Sequence, residues 1–283
     1  MSVRIVTEST SDLRKEDQQK WNVTVLPLPI RFGDKEYKSG EDLSNHQFYD
    51  LLVESTVFPK TSQVSPFAYK EAVEKALSQG DEVLLISISS QLSGCYQNAK
   101  QVADSYDERV QAVDSQSASI GQFTLIAYAA ELIEKGWSLS QVVAELERVK
   151  PKMRILALVD TLDYLLKGGR ISKTVAIAGR LLGIKPIISL RDGAIILAGK
   201  ARGSKAGHQH LIKLIHKMGG LDFSMPICAG HSGNSDEKLQ QYLKESEDIF
   251  EGHVKDATQV QMGTAIGSYS GPNAIGIGWF SKE

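Results

Sequence analysis

The chain has 283 residues, enough for two ordinary domains with buried cores. Hydrophobic residues at 42% and charged residues at 23% exclude extended disorder, and the 32 basic and 34 acidic side chains are spread along the chain, which excludes a face that tracks a nucleic-acid backbone. Cys95 and Cys228 are far apart and lack metal or redox spacing, so they read as reduced thiols of a cytosolic protein, and no cluster of metal-binding side chains appears.

Val3 to Thr7 is a short apolar strand signal, followed by a polar loop and a charged helix from about Asp12 to Trp21. No basic segment leads into an apolar stretch and cleavage site at the start, so export is not expected and a cytoplasmic location is. Val23 to Leu28 is the next strand, and Leu28 to Lys38 alternates around Gly33-Asp34, a hairpin turn signal. Ser44 caps a helix to about Glu54; Ser65-Pro66 pairs a cap with proline at the first position of another, ending near Gly80. Glu82 to Ser87 is continuously apolar, as a strand buried on both faces would be, and a helical pattern runs from about Ser93 to Tyr106. Arg109 to Asp114 repeats the strand signal before helices over Ser117 to Lys135 and Ser138 to Val149. The uncharged stretch Ser115 to Ala130 is shorter than the roughly 20 apolar residues a membrane span needs, so it reads as a buried helix. Strands alternating with helices predict a mainly parallel sheet with flanking helices.

Pro151 ends the last of these helices and marks the expected boundary between an N-terminal α/β domain, residues 1–152, and a C-terminal mixed α/β domain, residues 153–283. Arg154 to Asp160 opens the second series, followed by a helix, Gly168-Gly169 and a helix from Ser172. Strands near Ile184 to Leu190 and Ala194 to Lys200 flank an Asp192-Gly193 turn. A helix from Ser204 to Met218, the strand Ile227 to Gly230, a helix near Asp236 to Glu245 and a Gly-rich terminal strand complete the chain.

Several positions carry candidate chemistry. Ser93-Gly94 lies where a buried strand hands over to a helix, a place where ligands gather and free N–H groups attract anions; the plainer role for Ser93 is a helix cap. Thr61-Ser62-Gln63 offers two hydroxyls and an amide before a capped helix, suited to holding a carboxylate, although such loops are more often turns. Gly168 to Thr174 superficially resembles a phosphate-binding loop but has Ser172 where glycine must precede the lysine, so nucleotide binding is rejected and only Arg170 and Lys173 remain as anion or partner contacts. His208 and His210 are two apart on a helix, point to different faces and read as solvated. Ile120, Phe123, Ala127 and their neighbours fit a core or, equally, the wall of a long apolar pocket. Ser93 also mimics the nucleophile of a serine hydrolase acting on acyl esters, but Gln91 stands where that motif has glycine and His231 has no acidic partner by spacing.

In order and spacing the chain resembles the DegV family along nearly its whole length. The resemblance rests on Val6-Thr7-Glu8-Ser9-Thr10-Ser11-Asp12-Leu13, Leu26-Pro27-Leu28-Pro29-Ile30, Thr61-Ser62-Gln63, Ser89-Ser90-Gln91-Leu92-Ser93-Gly94, Asp114-Ser115, Thr161 to Leu165 with Gly169-Arg170-Ile171, Lys185-Pro186-Ile187-Ile188 and the segment Gly263 to Gly278. It implies two α/β domains of EDD type with a long-chain fatty acid buried between them and no cofactor. It implies a non-catalytic lipid carrier of the FakB type, which delivers the acid to a separate fatty acid kinase catalytic subunit for acyl-phosphate formation from ATP. Transient membrane contact to exchange lipid would accompany that role. Thr61, Ser93 and the backbone of Gly94 match the family's carboxylate contacts, with Ser62 beside them; Arg170 matches an arginine near the head group; Ile120, Phe123 and Ala127 are the expected acyl-chain wall. Where many relatives carry histidine this chain has Tyr269, which still donates a hydrogen bond but cannot become cationic near neutral pH.

Overall fold

The computed structural model describes residues 2–172 and 183–282, so the helix expected from Ser172, with Lys173, lies outside them. The described strands are β1 (Val3–Glu8), β2 (Thr24–Leu26), β3 (Pro29–Phe32), β4 (Lys35–Lys38), β5 (Lys60–Thr61), β6 (Glu82–Ser87), β7 (Val110–Asp114), β8 (Met153–Leu158), β9 (Ile184–Arg191), β10 (Ala194–Arg202), β11 (Cys228–His231), β12 (Thr258–Gln261) and β13 (Ile275–Phe280). The helices are α1 (Lys15–Lys20), α2 (Asn45–Glu54), α3 (Pro66–Ser78), α4 (Cys95–Ala103), α5 (Ile120–Glu134), α6 (Leu139–Val149), α7 (Asp163–Lys167), α8 (Gly203–Lys217), α9 (Glu237–Glu245), α10 (Glu247–Phe250) and α11 (Thr264–Ser270).

Two main sheets organise these elements. Strands β2-β1-β6-β7 form a four-stranded sheet that is parallel throughout. Strands β10-β9-β8-β13-β11-β12 form a six-stranded sheet, antiparallel except between β11 and β12. All strands of the first precede residue 153 and all of the second follow residue 152. A third sheet, β4-β3-β5, is the excursion announced by Gly33-Asp34, with Phe32 opposite Lys35 fixing a two-residue turn; the third strand, Lys60–Thr61, was not apparent from the sequence.

The parallel strands are apolar on both sides because both sides are covered. Val6, Val83, Leu85 and Val110 face α3 and α4, while Ile5, Leu84, Ile86 and Val113 face α5 and α6. Helix α5 carries Phe123, Ile126 and Ala130 into a core that also takes in Cys228, Val260 and Phe280 of the mixed sheet. It is apolar all round because both sheets flank it. On the far side of the mixed sheet, Leu156, Ile187, Ala229, Ile277 and Trp279 pack on Leu211 and Ile215 of α8 and Leu239 and Tyr242 of α9. The order is therefore helix, sheet, helix, sheet, helix.

Three local expectations are corrected. Helix α4 begins at Cys95 with Gly94 as its cap residue, not at Ser93. Helix α5 begins at Ile120, not Ser117, because Ser117 bonds back to Ser115 and Ser119 takes φ 54° with its N–H bonded to the Thr10 carbonyl. His208 is buried rather than solvated: with Leu211 and Ile215 it lies on the apolar stripe of α8, and its Nδ1 meets Glu245 Oε2 at 2.7 Å.

Candidate functional site

An apolar cavity lies between the carboxyl ends of the parallel strands and the inner face of the mixed sheet. Strand β8 presents Ile155, Ala157 and, just beyond it, Val159, the alternate residues of one face, while Leu156 and Leu158 turn to the opposite core. Strands β9 and β10 add Ile188, Leu190 and Ile195; the loops after β1, β6 and β7 add Thr10, Ile88, Leu92, Ser93 and Ser119; α5 contributes Ile120; and Met262, Ile266 and Tyr269 complete the wall. The tip of the β9–β10 hairpin is held on the β6 loop by Ser89, whose hydroxyl donates to the Gly193 carbonyl at 2.8 Å.

Most hydroxyls in this wall are committed to the protein. Thr10 donates to Gln122 Oε1 at 2.9 Å, Ser119 to Asp12 Oδ2 at 2.6 Å and Ser189 to the Ile155 carbonyl at 2.7 Å. Thr61, Ser93, Arg170 and Tyr269 are arranged differently. The Thr61 and Tyr269 hydroxyls share a hydrogen bond of 2.5 Å, and the Arg170 guanidinium stacks 4.7 Å from the centre of the Tyr269 ring. Arg170 Nε donates to the carbonyl of Leu92, the residue before Ser93, at 3.1 Å, and its Nη1 to the Gly168 carbonyl at 2.7 Å. Four residues from four separate segments thus meet in one constellation. Among the described residues no Asp or Glu side chain bonds to any of them.

Ser93 accepts from the Cys95 N–H at 3.3 Å and donates to Cys95 Sγ at 3.2 Å. A thiol sulfur is a weak acceptor, so this proton turns readily to a better one. The first N–H groups of α4 have no partner within the helix and add to the local positive potential. At Gly94 a Cβ would fall 1.8 Å from Gln63 Oε1, the end of an exposed side chain that would have to swing aside, and its φ of −73° suits any residue.

Not every expected residue is here. Ser62 is exposed, with its N–H bonded to the Pro29 carbonyl at 3.0 Å, and neither it nor Gly94 is part of the cavity wall. Ile120, Phe123 and Ala127 share a face of α5, but only the first turn reaches the cavity. Phe123 sits edge-on to Trp21, 5.7 Å between ring centres, and Ala127 packs in the same core. The mixed-sheet wall was overlooked: Ile155 to Val159 is apolar at every position, so the sequence does not mark which alternate residues face the cavity.

Two buried carboxyl groups beside the cavity were also overlooked. Glu8, fully buried at the end of β1, accepts from the Tyr69 hydroxyl, from Ser87 Oγ at 2.5 Å, from the Ile88 N–H at 3.1 Å and from Gln122 Nε2 at 3.1 Å. Burial pushes its pKa up and these donors pull it down, with burial prevailing. Asp12, at φ 52°, accepts from Ser119 and from the Gly263 N–H at 2.8 Å, tying the β1 loop to the starts of α5 and α11; burial raises it to about 7.

Both hydrogen bonds of Ser93 run to Cys95, and among the described residues no histidine bonds to it. No described helix is long and apolar enough to cross a membrane.

The family model described as "Uncharacterised protein, DegV family" matches residues 2–282. A DegV domain-containing protein of Deinococcus radiodurans is 34% identical over 281 residues, covering 98% of each chain. Among solved structures, a fatty-acid-binding DegV family protein from Thermus thermophilus is 33% identical with a TM-score of 0.89 and covers 99% of this chain and 100% of its own. A stearic-acid-binding protein from Eubacterium ventriosum is 29% identical with a TM-score of 0.85, covering 100% of this chain and 99% of its own. The chain belongs to the DegV family.

Proposed function

We propose that this DegV-family chain is a cytoplasmic carrier that encloses a long-chain fatty acid between its two sheets and presents the carboxylate to a separate fatty acid kinase catalytic subunit. The observation that carries the reading is an apolar cavity with a polar constellation, Thr61, Ser93, Arg170 and Tyr269, that is rich in donors and has no carboxylate of its own among the described residues. Binding of fatty acids by the similar proteins from Thermus thermophilus and Eubacterium ventriosum supports it.

Burial of an acyl chain contributes about 0.8 kcal/mol per methylene, so the apolar wall provides most of the affinity and the polar group sets orientation. Thr61, Ser93 and Tyr269 donate to the carboxylate, Arg170 offsets its charge, and the N–H of Gly94 contributes from the start of α4. Ser62 has no part in this arrangement. The chain itself performs no chemistry and needs no cofactor; phosphoryl transfer belongs to the kinase partner. In this reading the division of the chain at 152/153 separates two domains with the ligand between them, and brief contact with a membrane exchanges the lipid.

Mass spectrometry of lipids extracted from the purified protein tests the first part. The expected result is a fatty acid in near-stoichiometric amount; folded protein that neither carries nor takes up any would refute it. Reconstitution with a fatty acid kinase catalytic subunit and ATP tests the second, acyl-phosphate formation being expected to require this chain and to fall with Ser93→Ala.

A further inference from the structure

Helix α11, which carries Tyr269, is fastened to the N-terminal half of the chain at four consecutive residues. Asn45 Nδ2 donates to Gln261 Oε1 at 3.2 Å, the Tyr49 hydroxyl to the Met262 carbonyl at 2.7 Å, the Gly263 N–H to Asp12 at 2.8 Å and the Thr264 hydroxyl to Ser39 Oγ at 2.7 Å. One turn on, Gly267 meets α2 itself. A Cβ there would lie 2.6 Å from the Tyr49 hydroxyl and 2.7 Å from Phe48 Cε1. Gly267 is helical, so its conformation would suit any residue and only the space forbids one. The neighbours have no room to step aside: Phe48 and Tyr49 are buried and packed edge-to-face, 5.0 Å between ring centres, with Phe32 edge-on to Phe48. Residues two apart in a helix point to nearly opposite sides, about 200° apart, so a push at Gly267 is passed to Tyr269. The Tyr269 ring lies against the Gly168 backbone, where a Cβ would overlap it, and under the Arg170 guanidinium, with its hydroxyl 2.5 Å from that of Thr61.

We infer that α2 is the backstop of the polar end of the cavity: Tyr49 is a positioning residue that, through the Met262 carbonyl and its contact with Gly267, sets where the Tyr269 hydroxyl stands. The inference rests on reading the cavity as a fatty-acid site. Neither Tyr49 nor Gly267 belongs to the cavity wall, so both act through Tyr269 and not on the ligand. A methyl group at Gly267 moves α11 off α2 and carries the Tyr269 hydroxyl from its place beside Thr61. Removing the Tyr49 hydroxyl frees the Met262 carbonyl and loosens the start of the same helix. Both changes are felt by a carboxylate more than by an acyl chain, because Ile155, Ala157, Ile188 and Leu190 of the apolar wall belong to the mixed sheet, which neither change touches.

The test titrates the delipidated full chain with hexadecanoate and with hexadecanol, which has the same chain and no carboxylate. Gly267→Ala is expected to weaken binding of the acid by about fivefold, the scale of one neutral hydrogen bond, and Tyr49→Phe by about threefold, with the alcohol moved by less in each case. In a Tyr269→Phe background both changes are expected to cost the acid nothing further, since the hydroxyl they place is already gone. That cycle decides the matter if the alcohol binds too weakly to compare. Thermal melting identifies folded variants, and Tyr49→Phe, which keeps the ring, carries the test if Gly267→Ala does not fold. An unchanged affinity for the acid, equal losses for acid and alcohol, or losses that simply add to that of Tyr269→Phe overturn the inference. Failure of the parent chain to bind any straight-chain acid from dodecanoate to eicosanoate overturns the fatty-acid reading itself.

Discussion

The Glu8 and Thr61 clusters are assembled from the same kinds of side chain, and they differ in one component. Around Glu8 stand a tyrosine, a serine, a backbone N–H and a side-chain amide, all donating to a carboxylate supplied by the protein. Around Thr61 stand a tyrosine, a serine, an arginine and the opening N–H groups of α4, with no carboxylate among the described residues. The first cluster is electrically and sterically closed, so its energy goes into the fold. In the second, the Thr61, Tyr269 and Ser93 hydroxyls are turned on one another or on a thiol while Arg170 holds two backbone carbonyls, so in the proposed reading it is the hydroxyls that turn to an outside carboxylate.

The contrast predicts that damage to the two clusters will be felt in different quantities. Glu8→Ala is expected to have the largest effect, about 5 kcal/mol of lost stability in urea unfolding, because it strands several buried donors at once. Asp12 comes next and has a pH signature. Its folded pKa of about 7 lies above the ordinary value of 3.8, so the folded chain holds this proton more tightly than the unfolded one. The associated stability, up to about 4 kcal/mol, is fully present below pH ~4 and is lost as pH rises to ~7. Melting curves across that window should flatten in Asp12→Asn. Arg170→Ala is expected to weaken fatty-acid binding by ~10- to 100-fold, the scale of a charged hydrogen bond, and to lose less stability than Glu8→Ala, the loss coming from its bonds to the Leu92 and Gly168 carbonyls. Tyr269→Phe, which removes one neutral hydroxyl and keeps the ring under Arg170, should cost about fivefold in affinity. Equal losses of stability in the Glu8 and Arg170 variants would erase the distinction between the clusters.

Much of the framework was legible from periodicity. Glu82 to Ser87 reads as a strand covered on both faces, and α3 and α4 do cover one of them while α5 and α6 cover the other. Thr61, Ser93, Arg170 and Tyr269 were named from the sequence, but their meeting was not, because they lie on four segments joined by tertiary contacts alone. Phe123 and Ala127 were drawn into the pocket by sharing a face with Ile120; depth along a helix, unlike face, leaves no mark in the spacing. Helix α11, which carries Tyr269, was not anticipated between the helix near Asp236 to Glu245 and the Gly-rich terminal strand. Its low intrinsic propensity, with Gly267, Ser268 and Ser270 in seven residues, is overridden by packing: a Cβ on Gly267 would lie 2.6 Å from the Tyr49 hydroxyl, so glycine there lets α11 lie against α2. Glu8 was quoted only as a letter in a motif, since nothing in a sequence says which carboxylate will be surrounded by donors.

The two cysteines give the molecule an internal clock. Cys95 touches the Ser93 hydroxyl, and Cys228 pairs across the sheet with Gly278, under the first turn of α5. Both are fully buried, and burial lifts the Cys95 thiol to about 11 and the Cys228 thiol well above its ordinary value, so neither reacts appreciably in the closed protein. Reaction with a thiol reagent therefore waits for a local opening, and peptide-resolved labelling rates time two such openings separately, one at the polar end of the cavity and one beneath the first turn of α5, without any introduced probe.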